Sequence, residues 1–204
     1  MRAEARYDVE IVRGRTGDDA NDVRGGSDGV ELVVPVGTDL AVGTSSGRIT
    51  LEGPLGRVTV TTRSGKIKIE QCAELDARTA SASVEVGRVN GDARVKTASG
   101  GITLSEVVGA VRASTVSSEL DVRAGGPTVV KTVSGSVKLV VTEARDVAAG
   151  SVSGAVQIAV PPGSHPATAL RSMSGSRSVE PSIGTDFEVK ARSASGSLAV
   201  VYDS

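Results

Sequence analysis

The sequence offers few residues for acid–base or nucleophilic chemistry. His165 is the only histidine, and it lies in a Pro/Gly-rich stretch, residues 161–166. It is therefore the only candidate for a histidine general base. A serine hydrolase needs such a base beside its nucleophile, and no G-x-S-x-G segment accompanies this histidine. We expect His165 to be a solvated turn residue and the chain to contain no catalytic site.

Metal and thiol chemistry have equally little support. Cys72 is the only cysteine, so an intrachain disulfide and a CxxC metal site are both excluded. Aliphatic residues occupy the matching position of other repeats, which predicts that Cys72 is a small core residue. The acidic stretch at residues 17–29, with Asp18, Asp19 and Asp22, lacks the ligand order and closing glutamate of an EF-hand. We therefore predict no metal and no cofactor.

Charge and composition argue against other classes of function. The 23 Lys and Arg nearly balance the 24 Asp and Glu, so a net charge of −1 gives no bulk attraction to nucleic acid. Tyr7, Phe187 and Tyr202 are too few for the stacking platforms that bind single strands. Residues 1–6 do not read as a signal peptide, and no apolar run is long enough to span a bilayer. We expect a soluble, cytoplasmic protein that contacts membranes only peripherally, if at all.

An internal repeat supplies the elements that would position any binding residues. A marker of Thr or Ser, any residue, Ser and usually Gly recurs every 17 to 21 residues. Its second serine, the marker serine, falls nine times, at Ser46, Ser64, Ser81, Ser99, Ser117, Ser134, Ser153, Ser174 and Ser195. Aliphatic residues stand four before, three after and five after this serine, which indicates two strands with one buried face each. Arg177 alone breaks the column three after the marker.

A repeat this short cannot bury its own apolar face, so successive repeats must stack into a continuous core. The sequence therefore predicts an all-β fold, a parallel β-solenoid (β-helix) of about nine rungs, right-handed on general chirality grounds. By parity, the Thr and Ser of each marker point inward, with their hydroxyls bonding backbone or each other. Residues 1–30 lie outside the repeat and predict an N-terminal cap strand with an acidic loop, before a solenoid domain at residues 31–204.

The outward columns are the best candidates for binding. Parity places a column of Ala, Val and Met, one residue before the marker, on the outside, where a solvated strand would be polar. Lysines and arginines border it, three residues before the marker. The candidate partner-binding stripe comprises Val116, Val133, Val152, Met173, Lys96, Lys131 and Arg171. The alternative is that long loops or the N-terminal segment cover this stripe.

Two segments resemble a known bacterial family. Residues 31–40, ELVVPVGTDL, lead into Thr-x-Ser-Gly-x-Ile-x-Leu repeats, and residues 192–198, RSASGSL, close the array. Over roughly residues 30–202 this repeat pattern is similar to that of the toast-rack family of adhesin-like β-strand repeats. No general function is assigned to that family. The resemblance implies a link to cell-envelope stress sensing or to surface interactions.

Three classes of function follow from these patterns. The sequence favours a non-enzymatic binding or scaffold module that recognises a protein partner along the stripe. Self-assembly is the alternative, because the last strand, residues 198–202, has no evident cap and an open edge can template another chain. An enzyme is the third reading, and the absence of paired titratable groups argues against it.

Overall fold

The computed structural model describes residues 34–203 in full and, before them, the backbone of four short strands. These strands are β1 (Ala3–Ala5), β2 (Val9–Ile11), β3 (Asp22–Gly26) and β4 (Gly29–Val33). β3 lies within the predicted acidic loop and pairs antiparallel with β4, so that part is a strand. Residues 17–21 and 27–28 of the loop lie outside the described residues. The division between residues 30 and 31 stays a prediction.

The rest of the chain coils through two alternating rows of strands. It begins with β5 (Leu40–Val89), a continuous extended stretch. The first row contains β6 (Ala93–Lys96), β8 (Val111–Ser114), β10 (Thr128–Lys131), β12 (Val147–Ser153), β14 (Ala167–Ser174) and β16 (Glu188–Ser195). The second row contains β7 (Ile102–Val107), β9 (Leu120–Ala124), β11 (Val137–Val141), β13 (Val156–Val160), β15 (Arg177–Val179) and β17 (Leu198–Tyr202).

Strands of the same row pair in parallel, one turn of the coil apart. From β5 to β13 the paired residues are 17 to 19 positions apart, as between Val95 and Ala113 or Val122 and Leu139. The thirteen strands β5–β17 form a solenoid of about seven turns, which confirms the predicted class. The expected nine rungs are slightly too many, because the first three markers, at Ser46, Ser64 and Ser81, all fall inside the continuous stretch of β5.

The last two turns are stacked out of chain order. β16 lies between β12 and β14, and β17 lies between β13 and β15. The turn formed by β14 and β15 therefore ends the stack, although the chain passes through it first. The expectation that residues 198–202 form an uncapped edge is wrong, because β17 has a partner on both sides. The open edge belongs to β14 and β15.

The core consists of aliphatic columns that run along the stack. The column five residues after the marker is almost fully buried over five neighbouring turns: Leu104, Val122, Leu139, Ile158 and Val200. This confirms the inward placement that parity predicts. Burial of each such side chain stabilises the fold by about 1.5–3 kcal/mol. At the open end of the same column, Val179 remains 38% exposed.

The marker corner differs from its prediction in one respect. The threonine column points inward as expected, with Thr97 and Thr115 buried, but the marker serines Ser99 and Ser117 are exposed. The amides of Ala98 and Ser99 both donate to the carbonyl of Ala80 on the preceding turn, at 3.2 and 2.8 Å. Two residues thus oppose one, as in a β-bulge, and the inward–outward alternation resets just before the serine.

Those buried hydroxyls of residues 34–203 that form hydrogen bonds do so with backbone groups rather than with each other. Thr97 Oγ1 accepts a hydrogen bond from the Gly100 amide at 3.0 Å, and Thr115 Oγ1 donates to the Ala98 carbonyl at 3.4 Å. In the fully described part of the chain, three stacked hydroxyls are buried without a hydrogen-bond partner: Thr132 Oγ1, Ser151 Oγ and Ser193 Oγ.

Candidate functional site

Three exposed valines form a ridge at the corner between the two rows of strands. Val116, Val133 and Val152, which we call the valine ridge, are 48, 44 and 52% exposed. The Ser134 amide donates to the Val116 carbonyl at 2.7 Å, and the Val152 amide donates to the Val133 carbonyl at 3.2 Å. The three valines therefore come from directly stacked turns. Their exposure confirms their outward placement, and none of the long loops within residues 34–203 covers them.

The corner bulge explains why these valines face solvent. The amides of Val152 and Ser153 both donate to the Val133 carbonyl, at 3.2 and 2.8 Å. Val152 and Ser153 together oppose one residue of the neighbouring turn, as in a β-bulge, so both of their side chains project outward. A threonine or serine immediately before each valine is buried, as at Thr132 and Ser151. The repeat grammar thus fixes an outward position on each turn, and valine occupies it on three neighbouring turns.

Met173 does not extend the valine ridge. Its side chain is the most exposed apolar one in the fully described region, at 90%. Ala194 lies between Val152 and Met173, because Ser153 pairs with Ser195 and Ser195 pairs with Ser174. The predicted stripe is therefore split into the ridge and an isolated methionine at the open end of the stack. Sequence spacing could not show this, since it assumes that turns stack in chain order.

The predicted cations are all exposed on the outer face of the first row, but they are not immediate neighbours. Ser114 lies between Lys96 and Lys131. Arg171 lies three turns beyond Lys131, beside Arg192. The structure therefore brings the predicted cations to one face without clustering them around the valine ridge.

Two arginines on this face were missed by the sequence reasoning. Arg94 and Arg112 are exposed and are direct neighbours on adjacent strands. They stand five residues before their markers, so they share the outward parity of the cations three before. That parity was the signal that could have identified them. The basic face of the first row thus comprises Arg78, Arg94, Lys96, Arg112, Lys131, Arg171, Lys190 and Arg192.

The outer faces of the two rows differ in how their charges are paired. On the basic face, ion pairs join Arg78 to Asp76 at 2.8 Å and Lys190 to Glu188 at 2.6 Å. Within residues 34–203 the other six cations of that face have no ion pair. On the second row, ion pairs join successive turns from Lys66 to Glu85 at 2.7 Å and from Arg88 to Glu106 at 2.6 Å. Lys138 of that row forms no ion pair within residues 34–203, but it lies beside Asp121 on the adjacent strand. The basic face therefore carries positive charge that its own neighbours leave uncompensated.

A surface pocket of about 300 Å³ adjoins this face. Its lining includes Arg57, Glu74, Asp92, Arg94 and Arg112. Arg57 is bound to Glu74 at 2.6 Å, and Asp92 accepts a backbone amide of the next turn at 2.8 Å. Arg94 and Arg112 are left as the cations of this pocket that have no ion pair within residues 34–203. The carboxylate of Asp76, beside Arg94 on the adjacent strand, also lines the pocket, so its three arginines are balanced by three acidic side chains.

His165 lies in an exposed loop, as predicted. Its Nδ1 is 3.8 Å from Asp186 Oδ2, which accepts the His165 amide at 2.8 Å. The neighbouring Ser164 hydroxyl donates to the Pro161 carbonyl at 2.6 Å instead of to the imidazole. The three side chains therefore do not have the hydrogen bonds of a nucleophile activated by a histidine.

Cys72 is a core residue, as its repeat position predicts. Its side chain is fully buried among the aliphatic columns. Desolvation by burial raises the pKa of the thiol to about 12. The thiol is therefore protonated at neutral pH and is a poor nucleophile.

Metal-ligating residues do not cluster in the described part of the chain. No group of three or more His, Cys, Asp or Glu side chains there could hold a metal ion. Asp18 and Asp19 of the acidic stretch lie outside the described residues. Among those same described residues, none forms a helix of the length and apolarity that a membrane crossing requires.

Comparison with known proteins gives one match. The family model described as Toastrack DUF4097 matches residues 10–200, which is nearly the whole chain. No curated protein matches, and no solved structure matches.

Proposed function

Because this chain belongs to the Toastrack family, a domain family of unknown function, we propose a role for it from its surface. It is a non-enzymatic binding module that takes an acidic, partly apolar segment of a partner protein. The observation that carries this proposal is that one turn exposes both Val133 of the valine ridge and Lys131, which is one of six cations of the basic face that form no ion pair within residues 34–203. Such a surface complements a segment that carries carboxylates and aliphatic side chains.

The valine ridge supports an apolar contact. Three valines stacked at the strand spacing of ~4.8 Å form a continuous strip rather than scattered apolar points. A solenoid exposes such a strip at constant geometry, because each turn repeats the backbone of the one before. A partner segment that covers the strip removes its apolar surface from water, which contributes about 25 cal/mol for each Å².

The basic face supports a negatively charged partner. Arg94 lies beside Arg112, and Arg171 lies beside Arg192, on adjacent strands. Like charges in such pairs destabilise a sheet, so this face is held at some expense of folding stability. Carboxylates from a partner would relieve the repulsion and form charge-assisted hydrogen bonds with the guanidinium groups. The contrast with the ion pairs of the second row favours the first row as the binding face.

A protein segment fits this surface better than a nucleic acid does. Tyr202 is the one aromatic residue of the two rows of strands, so bases would find no stacking platform there. An acidic peptide can satisfy both halves of the surface, since its backbone carries aliphatic and carboxylate side chains together. Partner binding of this kind is compatible with the surface or envelope-stress roles that the adhesin-like resemblance implies.

The test uses a defined peptide as the probe. A fluorescent peptide of alternating Glu and Val is titrated with the full chain, beside a matched peptide of alternating Lys and Val, and anisotropy is measured. We expect the acidic peptide to bind and the basic one not to bind. We also expect affinity for the acidic peptide to fall as salt rises, since exposed charges are screened.

Substitutions then locate the binding surface. The double variant Val133→Glu and Val152→Glu should abolish binding of the acidic peptide while far-ultraviolet circular dichroism stays β-rich. Val108→Glu is the matched control, because Val108 is equally exposed at 46% but lies off the ridge. If the ridge variant binds as well as the parent chain, or if the two peptides bind alike, the proposal is wrong.

A further inference from the structure

The open end of the solenoid exposes an unpaired strand edge. Among the described strands, β14 pairs only with β16 and β15 pairs only with β17. The Ala167 amide donates to the Phe187 carbonyl at 2.8 Å, so the amides of Ala167, Ala169 and Arg171 face inward along the stack. Alternation turns the backbone groups of Thr168 and Leu170 towards the open side. An edge of this kind is a template for another strand.

The two strands of this end differ in how well they are protected. β15 has only three residues, carries Arg177 in the aliphatic column, and is followed by Glu180 and Pro181. Short length, an inward charge and a proline are the devices that prevent edge pairing. β14 has eight residues, and Arg171 is its only charged side chain. The unprotected edge is therefore β14.

We propose that β14 pairs antiparallel with β14 of a second copy, which gives a two-fold dimer joined at the open ends. A dyad at Leu170 sets the inward column of one copy against that of the other, with Thr168 facing Ser172. The same register places Ala169 opposite Arg171, so no like charges meet across the dyad. Leu170, which is half-buried in the single chain, packs against its own counterpart.

A closed dimer is favoured over a filament. At the other end of the solenoid, β1 and β2 pair antiparallel with β5, at residues 49–51 and 42–44. That end therefore presents different strands in a different orientation, and it does not complement β14 by continuing the parallel coil. Only the contact of like ends is self-complementary, and a self-complementary contact closes after two copies.

Sedimentation of the full chain tests the proposal through a pair of opposite substitutions. Analytical ultracentrifugation from about 10 µM to about 1 mM should show a monomer–dimer equilibrium, as expected of a small interface. Ala169→Lys puts a cation opposite Arg171 twice in each dimer, so the dissociation constant should rise about fivefold. Ala169→Glu puts an anion there and should lower the dissociation constant by a similar factor.

The dissociation constants of the two variants decide whether the proposed dimer forms. Ala169 is exposed and pairs with Lys190 within the chain, so both variants should retain the circular dichroism of the parent chain, with a slightly lower melting temperature for the lysine variant and a slightly higher one for the glutamate variant. Opposite shifts in the dissociation constant support the antiparallel register. A chain that stays monomeric at every concentration overturns the proposal, and so do two variants that shift the dissociation constant in the same direction. Peptide binding at the valine ridge is measured separately and does not depend on this result.

Discussion

The last two turns have nearly the same sequence and opposite positions in the molecule. Residues 171–177 read RSMSGSR and residues 192–198 read RSASGSL, so they differ only at Met173 and Arg177. Yet the first segment forms the exposed end of the stack and the second lies inside it. Val200 of the inner turn is fully buried, whereas its counterpart Val179 is 38% exposed.

The difference between Arg177 and Leu198 explains which turn lies at the end. Inside the stack, the side chain three residues after the marker serine packs between neighbouring turns. An arginine at that position would bury an unpaired charge. At the end of the stack the Arg177 side chain reaches water, whereas Met173 stands in a column that faces outward on every turn. Leu198 can be covered from both sides without such a penalty. The position of a turn therefore depends on whether its core column tolerates burial, and not on its order in the chain.

Engineered disulfides would test the inserted order most directly. Gln157 is paired with Ala199, and Ala199 is paired with Ser178. The Cα atoms of paired residues lie ~4.8 Å apart, within disulfide reach, whereas Gln157 and Ser178 are separated by roughly twice that distance. In a Cys72→Ala background, Gln157→Cys with Ala199→Cys should crosslink almost completely on oxidation, and Gln157→Cys with Ser178→Cys should not.

Mass spectrometry of tryptic peptides gives the yield of each crosslink. Ala199→Cys with Ser178→Cys serves as the positive control, since it should form in either arrangement that keeps these turns adjacent. A high yield for the pair at positions 157 and 178 would mean that the turns stack in chain order, contrary to the structure.

Exchanging the residues at the third position after the marker should give the next largest effect. Leu198→Arg buries a charge without a partner and should lower the free energy of unfolding by about 3–5 kcal/mol. Arg177→Leu replaces an exposed charge at the end of the stack, so the free energy should change by less than about 1 kcal/mol. Urea denaturation followed by circular dichroism measures both. Equal losses in the two variants would contradict the comparison.

Truncating the matched valines should give the smallest effect. Val200→Ala leaves a cavity between packed turns and should destabilise the protein by about 2 kcal/mol. Val179→Ala removes methyl groups that are already partly solvated, so we expect less than about 1 kcal/mol. The two variants share the same chemistry, and the difference in their urea midpoints therefore reports burial alone. No difference would indicate that both valines lie at comparable depth.

The class of fold was predictable because parity alone fixes it. Residues such as Ile102 and Leu104 are two apart and recur with each marker, so a stack of short strands is the arrangement that buries them. The inward threonines follow from the same rule. The exposed serines do not, because the reset depends on two amides sharing one carbonyl, a feature that residue types at Ala98 and Ser99 do not specify.

The stacking order of the last two turns could not be predicted from the spacing of the marker serines. The last two marker-to-marker distances are both 21 residues, so loops of the same length allow either arrangement. Arg177 was visible as an exception to its column, and an exception of that kind marks a surface. For the candidate site, parity placed the valine ridge correctly. The division of the stripe at Ala194 follows from the inserted turn and could not be seen without it.

The inserted turn also constrains how the polypeptide reaches its final form on the ribosome. The coil can lengthen turn by turn as the chain emerges, until β13 has joined it. The next segment, β14 and β15, then lacks its native partner strands until residues 188–202 have been synthesised and have docked against β12 and β13. The growth of this solenoid is therefore vectorial for most of its length and ends in one concerted closing step.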